Sequence, residues 1–172
     1  EGIYSFIDQQ KYNLYIVELT HKSWEAILPD GTRAAIDKND FSFEENGKRI
    51  KPDFAYITIH GTPGENGILQ GYFELIGMPY STCDVLVSAL TFSKFLLNQY
   101  LKGFGIRVAE SLLVKKKNGI TDEQVMETIG LPCFIKPNAS GSSFGVTKVK
   151  TKEQIQPALE AAFKESDDVM IE

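Results

Sequence analysis

The chain has 172 residues, of which 42% are hydrophobic and 24% charged, so it is long enough to bury a core as one domain or two small ones. Its formal net charge of −5 at pH 7 leaves no basic surface of the kind that binds nucleic acid or anionic membrane, and we expect neither as a partner. No apolar run approaches the roughly 20 residues of a transmembrane helix, and no secretory signal is recognisable, so we expect a cytoplasmic protein.

Both ends of the sequence look like the interior of a longer protein. Residue 1 is Glu rather than Met, and Ile3, Phe6 and Ile7 recur at helical spacing without a capping residue before them. This pattern predicts the tail of a helix over residues 1–8. The segment 168–172 is strand-like and has no polar tail. We therefore expect the chain to be a piece of a longer protein.

The first fifty residues are predicted to form a strand and small hairpins. Residues 12–19 are rich in β-branched and aromatic side chains, which favour a strand. Between Trp24 and Ile50 there are two turn signals, Pro29-Asp30-Gly31 and Asn46-Gly47. The Asn-Gly pair is the stronger of the two, because both residues accept the backbone conformation of a tight hairpin turn.

A strand, a glycine-rich turn and a helix are predicted next. The run Phe54–Ile59 is almost continuously apolar, as is a strand covered on both faces. After the turn, apolar residues recur at helical spacing from Ile68 to Ile76, and Gly77 and Pro79 end the helix. This order is the βα unit of a doubly wound sheet, in which ligands lie beyond the carboxyl ends of the strands.

The second half alternates short helices and strands. Asp84 can cap a helix that runs through Leu90, and a second helix is predicted from Ser93 to Leu101. The later elements are a strand over 107–114, a helix over 121–129, strands over 133–136 and 146–149, a helix over 151–163 with a capping box at Thr151 and Gln154, and a strand over 169–172. We place a domain boundary near residue 90, with domains at 1–90 and 91–172.

A lysine followed by small polar residues is the first candidate site. Lys136 ends an apolar strand, where an ammonium group is costly unless it has a partner. The residues that follow, Asn138–Ser143, offer backbone amides and hydroxyls that can bind phosphate oxygens. The lysine precedes this loop, so the pattern is not that of a P-loop. A polar turn with a surface lysine remains the alternative.

His60, at the end of the strand predicted over 54–59, is the second candidate. It stands where doubly wound proteins place substrate groups, although a purely structural histidine remains the alternative. Glu65 and Asn66 come near the start of the next helix, where they can cap free N–H groups, and capping is the favoured role for both.

Lys94 is the third candidate. It stands early in its predicted helix, where a positive charge opposes the helix dipole and so indicates a bound anion, whereas a solvated surface lysine is the simpler alternative. No Ser–His–Asp arrangement is recognisable, and no His/Cys cluster has the spacing of metal ligands. Cys83 and Cys133 lie far apart in the sequence, which favours reduced thiols.

The order of these motifs resembles the D-alanine–D-alanine ligase family of the ATP-grasp superfamily. The matching stretches are H-G-T-P-G-E-N-G-I-L-Q-G at 60–71, G-M-P-Y-S at 77–81, S-A-L-T-F-S-K at 88–94, F-I-K-P-N-A-S-G-S-S-F-G-V at 134–146 and V-M-I-E at 169–172. Each is modest alone, but the ordered set is specific. The resemblance implies an α/β fold, in which a doubly wound N-terminal domain, here without its first strand, precedes the first ATP-grasp (α+β) subdomain.

The resemblance implies a function in peptidoglycan precursor synthesis. ATP would phosphorylate the carboxylate of one D-alanine, and the amine of a second would attack the acyl phosphate to give the dipeptide, ADP and phosphate. Magnesium is implied as a cofactor, and its carboxylate ligands, an arginine and a second catalytic serine are expected after residue 172. A glutamate that meets the first substrate is expected before residue 1. We therefore expect the 172 residues alone to be inactive.

The resemblance also implies roles for single residues. Lys94 and Lys136 would hold the ATP phosphates, under a loop formed by Gly141, Ser142, Ser143 and Gly145. Ser142 would also act in the catalytic hydrogen-bond network, and His60 and Glu65 would lie near the first D-alanine. Glu172, with Ile171, would begin the hinge that binds adenine. Two places depart from the family pattern, because Asn66 replaces an aspartate and Phe92-Ser93 replaces Met-Asp.

Other functions stay open at this point. The protein can be a D-alanine–D-lactate ligase or another ATP-grasp carboxylate ligase, since the residues that choose the second substrate are expected after residue 172. A non-catalytic nucleotide-binding or dimerisation module is an alternative of a different class. A structural α/β domain with chance motifs is a third. A homodimer through the N-terminal domain is implied by the family alone.

Overall fold

The computed structural model describes residues 5–140 and 144–172, and the chain divides into two compact units. The first unit contains the chain up to Ala55 together with Glu74–Pro79. The second contains Tyr56–Phe73 together with Tyr80–Glu172. Every described residue that the sequence marks as catalytic or binding belongs to the second unit. The domain boundary near residue 90 stays a prediction.

Two small antiparallel sheets form the first unit. Their strands are β1 (Ile16–Leu19), β2 (Trp24–Ile27), β3 (Arg33–Ala35), β4 (Phe43–Glu45) and β5 (Lys48–Ile50). The first three pair in the order β1-β2-β3, and β4 pairs with β5. Ala26 in β2 and Phe43 in β4 are buried, so both sheets contribute to the apolar core of this unit.

The hairpins follow from local turn chemistry, as the sequence predicts. Glu45 lies opposite Lys48, and the two residues between them, Asn46 and Gly47, have φ angles of 51° and 71°. Two left-handed residues in a two-residue loop form the turn whose twist matches that of the flanking strands. The wider turn between β2 and β3 contains Gly31 with a φ of 83°. Both predicted hairpins are confirmed.

Three helices follow in the sequence. They are α1 (Ile68–Leu75), α2 (Val85–Phe92) and α3 (Lys94–Gly103). The Asp84 side chain accepts a hydrogen bond from the Val87 N–H at 2.8 Å, which confirms the predicted cap of α2. Ser93 ends α2 and caps α3, where its Oγ accepts from the Leu96 N–H at 3.4 Å. Lys94 is therefore the first residue of α3, as close to that helix N-terminus as a side chain can be.

A four-stranded sheet completes the second unit. Its elements are β6 (Leu112–Lys115), α4 (Asp122–Thr128), β7 (Cys133–Pro137), β8 (Thr147–Val149), α5 (Ile155–Ala162) and β9 (Asp168–Ile171). The strand order is β6-β9-β7-β8, and each neighbouring pair is antiparallel. The core between the sheet and its two helices includes Val125, Ile135, Val149, Ile155, Leu159 and Val169, all at most 3% exposed.

The caps of these helices agree with the sequence. Thr121 and Gln124 form a reciprocal capping box at α4, with N···O distances of 3.2 and 3.0 Å. A short 3₁₀ turn, Lys152–Gln154, leads into α5, and the Thr151 N–H donates to the Gln154 side chain at 3.3 Å.

Within the described ranges, no helix has the length and apolar content that a membrane crossing requires.

The strand predicted over Phe54–Ile59 is wrong. In the part of the chain that the structure describes, this segment belongs to none of the named strands, although the Ala55 N–H donates to the Pro79 carbonyl at 2.9 Å. Phe54 and Tyr56 are 53% and 58% exposed rather than covered. A strand requires a neighbour to complete its ladder, and apolar composition alone supplies none.

Smaller corrections concern element ends. Residues 5–8 form no helix, and the rest of the helix predicted over 1–8 lies outside the described residues. The strands predicted over 12–19 and 107–114 are shorter than expected, since only the segments β1 and β6 find pairing partners.

Candidate functional site

Lys136 lies near the end of β7, opposite Met170 of β9. Its ammonium donates a hydrogen bond to the Glu172 carboxylate, and the two side chains are only 19% and 21% exposed. The Asn98 side chain on α3 donates to the other Glu172 oxygen, with an Nδ2–Oε2 distance of 3.4 Å. The strand-end lysine therefore has the partner that its partial burial requires.

Lys94 lies beside the same strand end. Its ammonium donates to three main-chain carbonyl oxygens, those of Pro137 at 3.2 Å, Asn138 at 3.4 Å and Ser140 at 2.9 Å. Burial, and to a lesser extent the positive charge of Lys136, hold the pKa of Lys94 below its ordinary value. The positive charge of each lysine therefore disfavours that of the other.

The turn that carries His60 is held by its own carboxylate. The Glu65 Oε2 accepts a hydrogen bond from the Gly61 N–H at 2.6 Å, and Gly61 has a φ of 71°. His60 extends into solvent, with its side chain 97% exposed and its Nδ1 3.9 Å from the Glu65 Oε1. The Asn66 Oδ1 accepts from the Ile68 N–H at 3.3 Å, at the first residue of α1. Asn66 therefore caps the helix as predicted, whereas Glu65 caps the turn.

Gln70 anchors this turn from α1. It is fully buried, and its Nε2 donates to the Gly64 carbonyl at 2.6 Å and to the Thr82 hydroxyl at 2.9 Å. Gly64 has no room for a side chain, because a Cβ would lie 2.3 Å from the Ile59 carbonyl oxygen. Gln70 was not predicted from the sequence, although a polar residue inside an apolar helical stripe is the signal that marks it.

A cavity of about 280 Å³ brings two of the predicted site residues together. It is lined by Glu65, Thr91, Phe92, Lys94 and Ser140, so that an acidic and a basic residue border the same space. Sequence analysis missed Thr91 and Phe92 as lining residues. Their position in the last turn of α2, directly before the cap of α3, was the available signal. His60 and Lys136 are not among the lining residues.

The remaining predicted site residues divide into two groups. Gly141, Ser142 and Ser143 lie outside the described residues. Gly145 has a φ of 70°, and a Cβ there would lie 3.0 Å from the Pro137 Cγ, so the backbone requires glycine. Ile171 is fully buried in the core of the sheet, and its contact with adenine stays a prediction.

The described residues also include side chains of the kinds that ligate metals and two cysteine thiols. Among the described residues, no group of three or more His, Cys, Asp or Glu side chains is arranged to hold a metal ion. Magnesium prefers carboxylate oxygens, so the described residues do not form a site that fits it. Cys83 and Cys133 are both free thiols, as the sequence predicts, and burial raises the pKa of Cys133.

Two family models match the chain. The model described as D-ala D-ala ligase N-terminus matches residues 1–83, and the model described as D-ala D-ala ligase C-terminus matches residues 100–172. The chain belongs to the D-alanine–D-alanine ligase family. The family expected from the motifs is thereby confirmed.

Relatives named D-alanine–D-alanine ligase are similar over the whole chain. The relative from Phocaeicola vulgatus is 72% identical over 172 residues, and this match covers 53% of the relative. One from Bacteroides fragilis is 62% identical over the same length and is likewise covered to 53%. The chain therefore spans about half the length of the D-alanine–D-alanine ligases that it matches.

Solved structures of the family have the same fold. D-alanyl-alanine synthetase A from Vibrio cholerae superposes with a TM-score of 0.84 at 29% identity, covering 99% of this chain and 52% of that one. The VanG D-Ala:D-Ser ligase from Enterococcus faecalis superposes with a TM-score of 0.80 at 30% identity, covering 98% of this chain and 55% of that one. The mixed α/β fold expected for the ligase family is confirmed.

Proposed function

We propose that the protein to which this chain belongs is an ATP-dependent ligase that joins two D-alanines for peptidoglycan precursor synthesis. The observation that carries the proposal is the position of the Lys94 ammonium on the carbonyl of Pro137, the residue after Lys136, in a chain of this family. Because the chain spans about half the length of its relatives, the activity is proposed for the whole protein. The inactivity of the 172 residues alone stays a prediction.

The two lysines support binding of a polyphosphate. Burial and, to a lesser extent, Lys136 lower the pKa of Lys94, and the charge of a bound anion would offset both effects by stabilising the ammonium. ATP would supply the phosphoryl group that activates a carboxylate. The chain's own contribution is then to neutralise and position the phosphates, which is the main requirement of phosphoryl transfer.

The cavity beside Lys94 supports a small zwitterionic substrate. Glu65 and Lys94 both line it, and these charges complement the ammonium and carboxylate of an amino acid. In the proposed reaction, a carboxylate oxygen of the first D-alanine bonds to the γ-phosphorus of ATP, while the bond between that phosphorus and the bridging oxygen of ADP breaks. The amine of the second D-alanine then bonds to the carbonyl carbon, loses a proton and displaces phosphate.

The other assignments are part of the same proposal. Gly141, Ser142, Ser143 and Gly145 would close over the phosphates, with Ser142 also in the catalytic network. His60 would approach the first D-alanine, and Glu172 with Ile171 would contact adenine. Magnesium is proposed to bind with ligands outside this chain. Location in the cytoplasm and a homodimer through the N-terminal domain stay predictions.

The test is ADP release by the full-length protein with ATP and magnesium, with and without D-alanine. Lys136→Ala is the diagnostic variant, and Lys164→Ala, at an exposed lysine of the same unit, is its matched control. We expect release that depends on D-alanine, is lost in Lys136→Ala and is kept in Lys164→Ala. Release without D-alanine dependence would contradict the D-alanine ligase proposal and direct the search to other carboxylate substrates. No ATP consumption at all would favour the non-catalytic nucleotide-binding module.

A second candidate is a ligase with a different second substrate. The observation that favours it is the likeness to the VanG D-Ala:D-Ser ligase, at a TM-score of 0.80. A competition assay with D-alanine, D-serine and D-lactate as second substrates separates the candidates, with the products identified by mass spectrometry. A dominant D-alanyl-D-alanine product would exclude the second candidate, and a dominant mixed product would establish it.

A further inference from the structure

Asn138, the first residue after β7, links the strand of Lys136 to the helix of Lys94. It is 5% exposed, and both ends of its side-chain amide face the start of α3. The Oδ1 accepts a hydrogen bond from the Phe95 N–H at 2.9 Å, and the Nδ2 donates to the Ser93 Oγ at 3.0 Å. A buried amide with both ends occupied fixes the two segments that it joins.

The main chain of Asn138 makes a second set of contacts. Its carbonyl oxygen accepts from the Lys94 backbone N–H at 3.2 Å and from the Lys94 ammonium at 3.4 Å. Its own N–H donates to the Asp168 carbonyl at 2.9 Å, which fastens the residue to β9. Asn138 is therefore attached to α3 through side chain and main chain, and to the sheet through its N–H.

These contacts complete the N-terminus of α3. The first N–H groups of a helix have no partner within it. Here Asn138 accepts from two of them, those of Lys94 and Phe95, and Ser93 accepts from that of Leu96. In Asn138→Ala the Phe95 N–H and the Ser93 hydroxyl would lose their side-chain partner, which would loosen the start of α3 where Lys94 stands.

We propose that Asn138 is a positioning residue of the nucleotide site, which fixes the Lys94 ammonium relative to Lys136. The expected effect of Asn138 on ATP binding rests on the proposed function. Its effect on the position of the Lys94 ammonium does not. Asn138 is not itself proposed to contact phosphate. It acts through Lys94, so its effect on ATP requires Lys94 to be present.

The first test measures the position of Lys94 without any ligand. In the full-length protein, competitive acylation across a pH series, read by mass spectrometry, reports the titration midpoint of Lys94. Among the described residues, Lys136 from β7 acts on its charge, Lys136 is itself paired with Glu172, and Glu65 lines the same cavity. Asn138→Ala should raise the midpoint toward that of an ordinary lysine. Val125→Ala, a core change on α4, should leave it unchanged, and an unchanged midpoint in Asn138→Ala would overturn the inference.

The second test separates positioning from general loss of stability. Asn138→Ala should raise the KM for ATP about tenfold, as expected when a charged group leaves its aligned position, with a smaller change for D-alanine. Val125→Ala should lower the unfolding temperature without raising the KM for ATP. In a Lys94→Ala background, Asn138→Ala should add little further effect. A full additional loss in that background would assign Asn138 a direct or a purely structural role.

The two tests keep the inference apart from the proposed function. A full-length protein that consumes no ATP would contradict the ligase proposal, while the acylation midpoint of Lys94 would still decide the role of Asn138. Conversely, if the full-length protein is an active ligase but Asn138→Ala changes neither the titration midpoint of Lys94 nor the KM for ATP, only the inference about Asn138 is refuted.

Discussion

Lys136 and Glu172 form an ion pair across β7 and β9, although 36 residues separate them in the sequence. Reciprocal backbone hydrogen bonds of 2.6 and 2.9 Å place Phe134 opposite Glu172, so the Lys136 side chain reaches the carboxylate diagonally. The lysine is thus partnered before any nucleotide binds. A phosphate at Lys136 must share or displace this carboxylate, which gives Glu172 a role besides the adenine contact proposed for it.

Removing one partner of this pair should destabilise the protein. We expect Lys136→Met to lower the free energy of unfolding by about 1–2 kcal/mol, between the values for exposed and fully buried pairs, because Glu172 keeps its charge without a cation. The double variant with Glu172→Gln should recover part of this loss. Urea denaturation of the wild type, the two single variants and the double variant gives the four free energies of unfolding. Strictly additive losses in the double variant would contradict the pairing. Lys102→Met breaks the exposed pair with Glu110 and should cost about 0.5 kcal/mol or less.

The lowered pKa of Lys94 predicts a pH dependence of stability. The pKa of Lys94 in the folded state lies below the ordinary 10.5. Between these two pKa values the unfolded chain binds more protons than the folded one, so the free energy of unfolding rises with pH. The unfavourable contribution is complete below the folded-state pKa and disappears as the pH approaches 10.5. The wild type should therefore gain stability relative to Lys94→Met as the pH rises toward that value, as measured by urea midpoints.

Lys152 provides a control of the opposite sign. Its hydrogen bond with Glu123 raises its pKa, so its favourable contribution persists below 10.5 and is lost only as the pH rises through the higher folded-state value. Relative to Lys152→Met, the wild type should gain no stability in the window where it gains relative to Lys94→Met. A constant gap between the wild type and Lys94→Met across this window would be incompatible with a lowered pKa.

Gly145→Ala should be destabilising by about 1–2 kcal/mol, because alanine is strained at a positive φ. The φ is 70°, and the new Cβ would press on Pro137 and Glu165 at 3.0 and 3.2 Å. Gly103→Ala is the matched change, since that glycine ends α3 with open space around it. There alanine should be neutral or stabilise by up to about 1 kcal/mol. Equal thermal shifts for the two variants would show that the space around Gly145 does not matter.

Gln70→Leu should cost about 2–4 kcal/mol, because it leaves the Gly64 carbonyl and the Thr82 hydroxyl without their buried donor. Leucine also removes the Gln70 Oε1, a buried acceptor with no hydrogen-bond partner among the described residues, and this moderates the loss. Gln99→Leu, at an exposed glutamine of α3, should change the free energy of unfolding by less than about 0.5 kcal/mol. Chemical denaturation of both variants makes the comparison, and a Gln70 variant as stable as the wild type would exclude an anchoring role.

Features set by neighbouring residues could be predicted from the sequence. Asn46-Gly47 forms the expected hairpin turn, and Asp84 caps α2, because each depends on bonds within three residues. Lys94 was also recognised, since its place at a helix N-terminus is visible in the sequence. The family motifs then indicated which of these local features belong to one site.

Features that depend on distant partners could not be predicted in the same way. The run Phe54–Ile59 has strand composition, but no strand of the described residues provides it with a full ladder. The pairing of Lys136 with Glu172, and of Asn138 with Phe95, depends on strand register and helix packing. Thr91 and Phe92 line the same cavity as Glu65, although more than 20 residues separate them from it in the sequence.

The position of β9 bears on how the second unit is made in the cell. This strand is the last of the four to be synthesised, yet it lies between β6 and β7, which do not pair with each other. A nascent chain can form the β7–β8 hairpin early, but β6 has no partner until residues 168–171 leave the ribosome. Lys136 likewise meets Glu172 only at that point, so this ion pair forms after the β7–β8 hairpin rather than together with it.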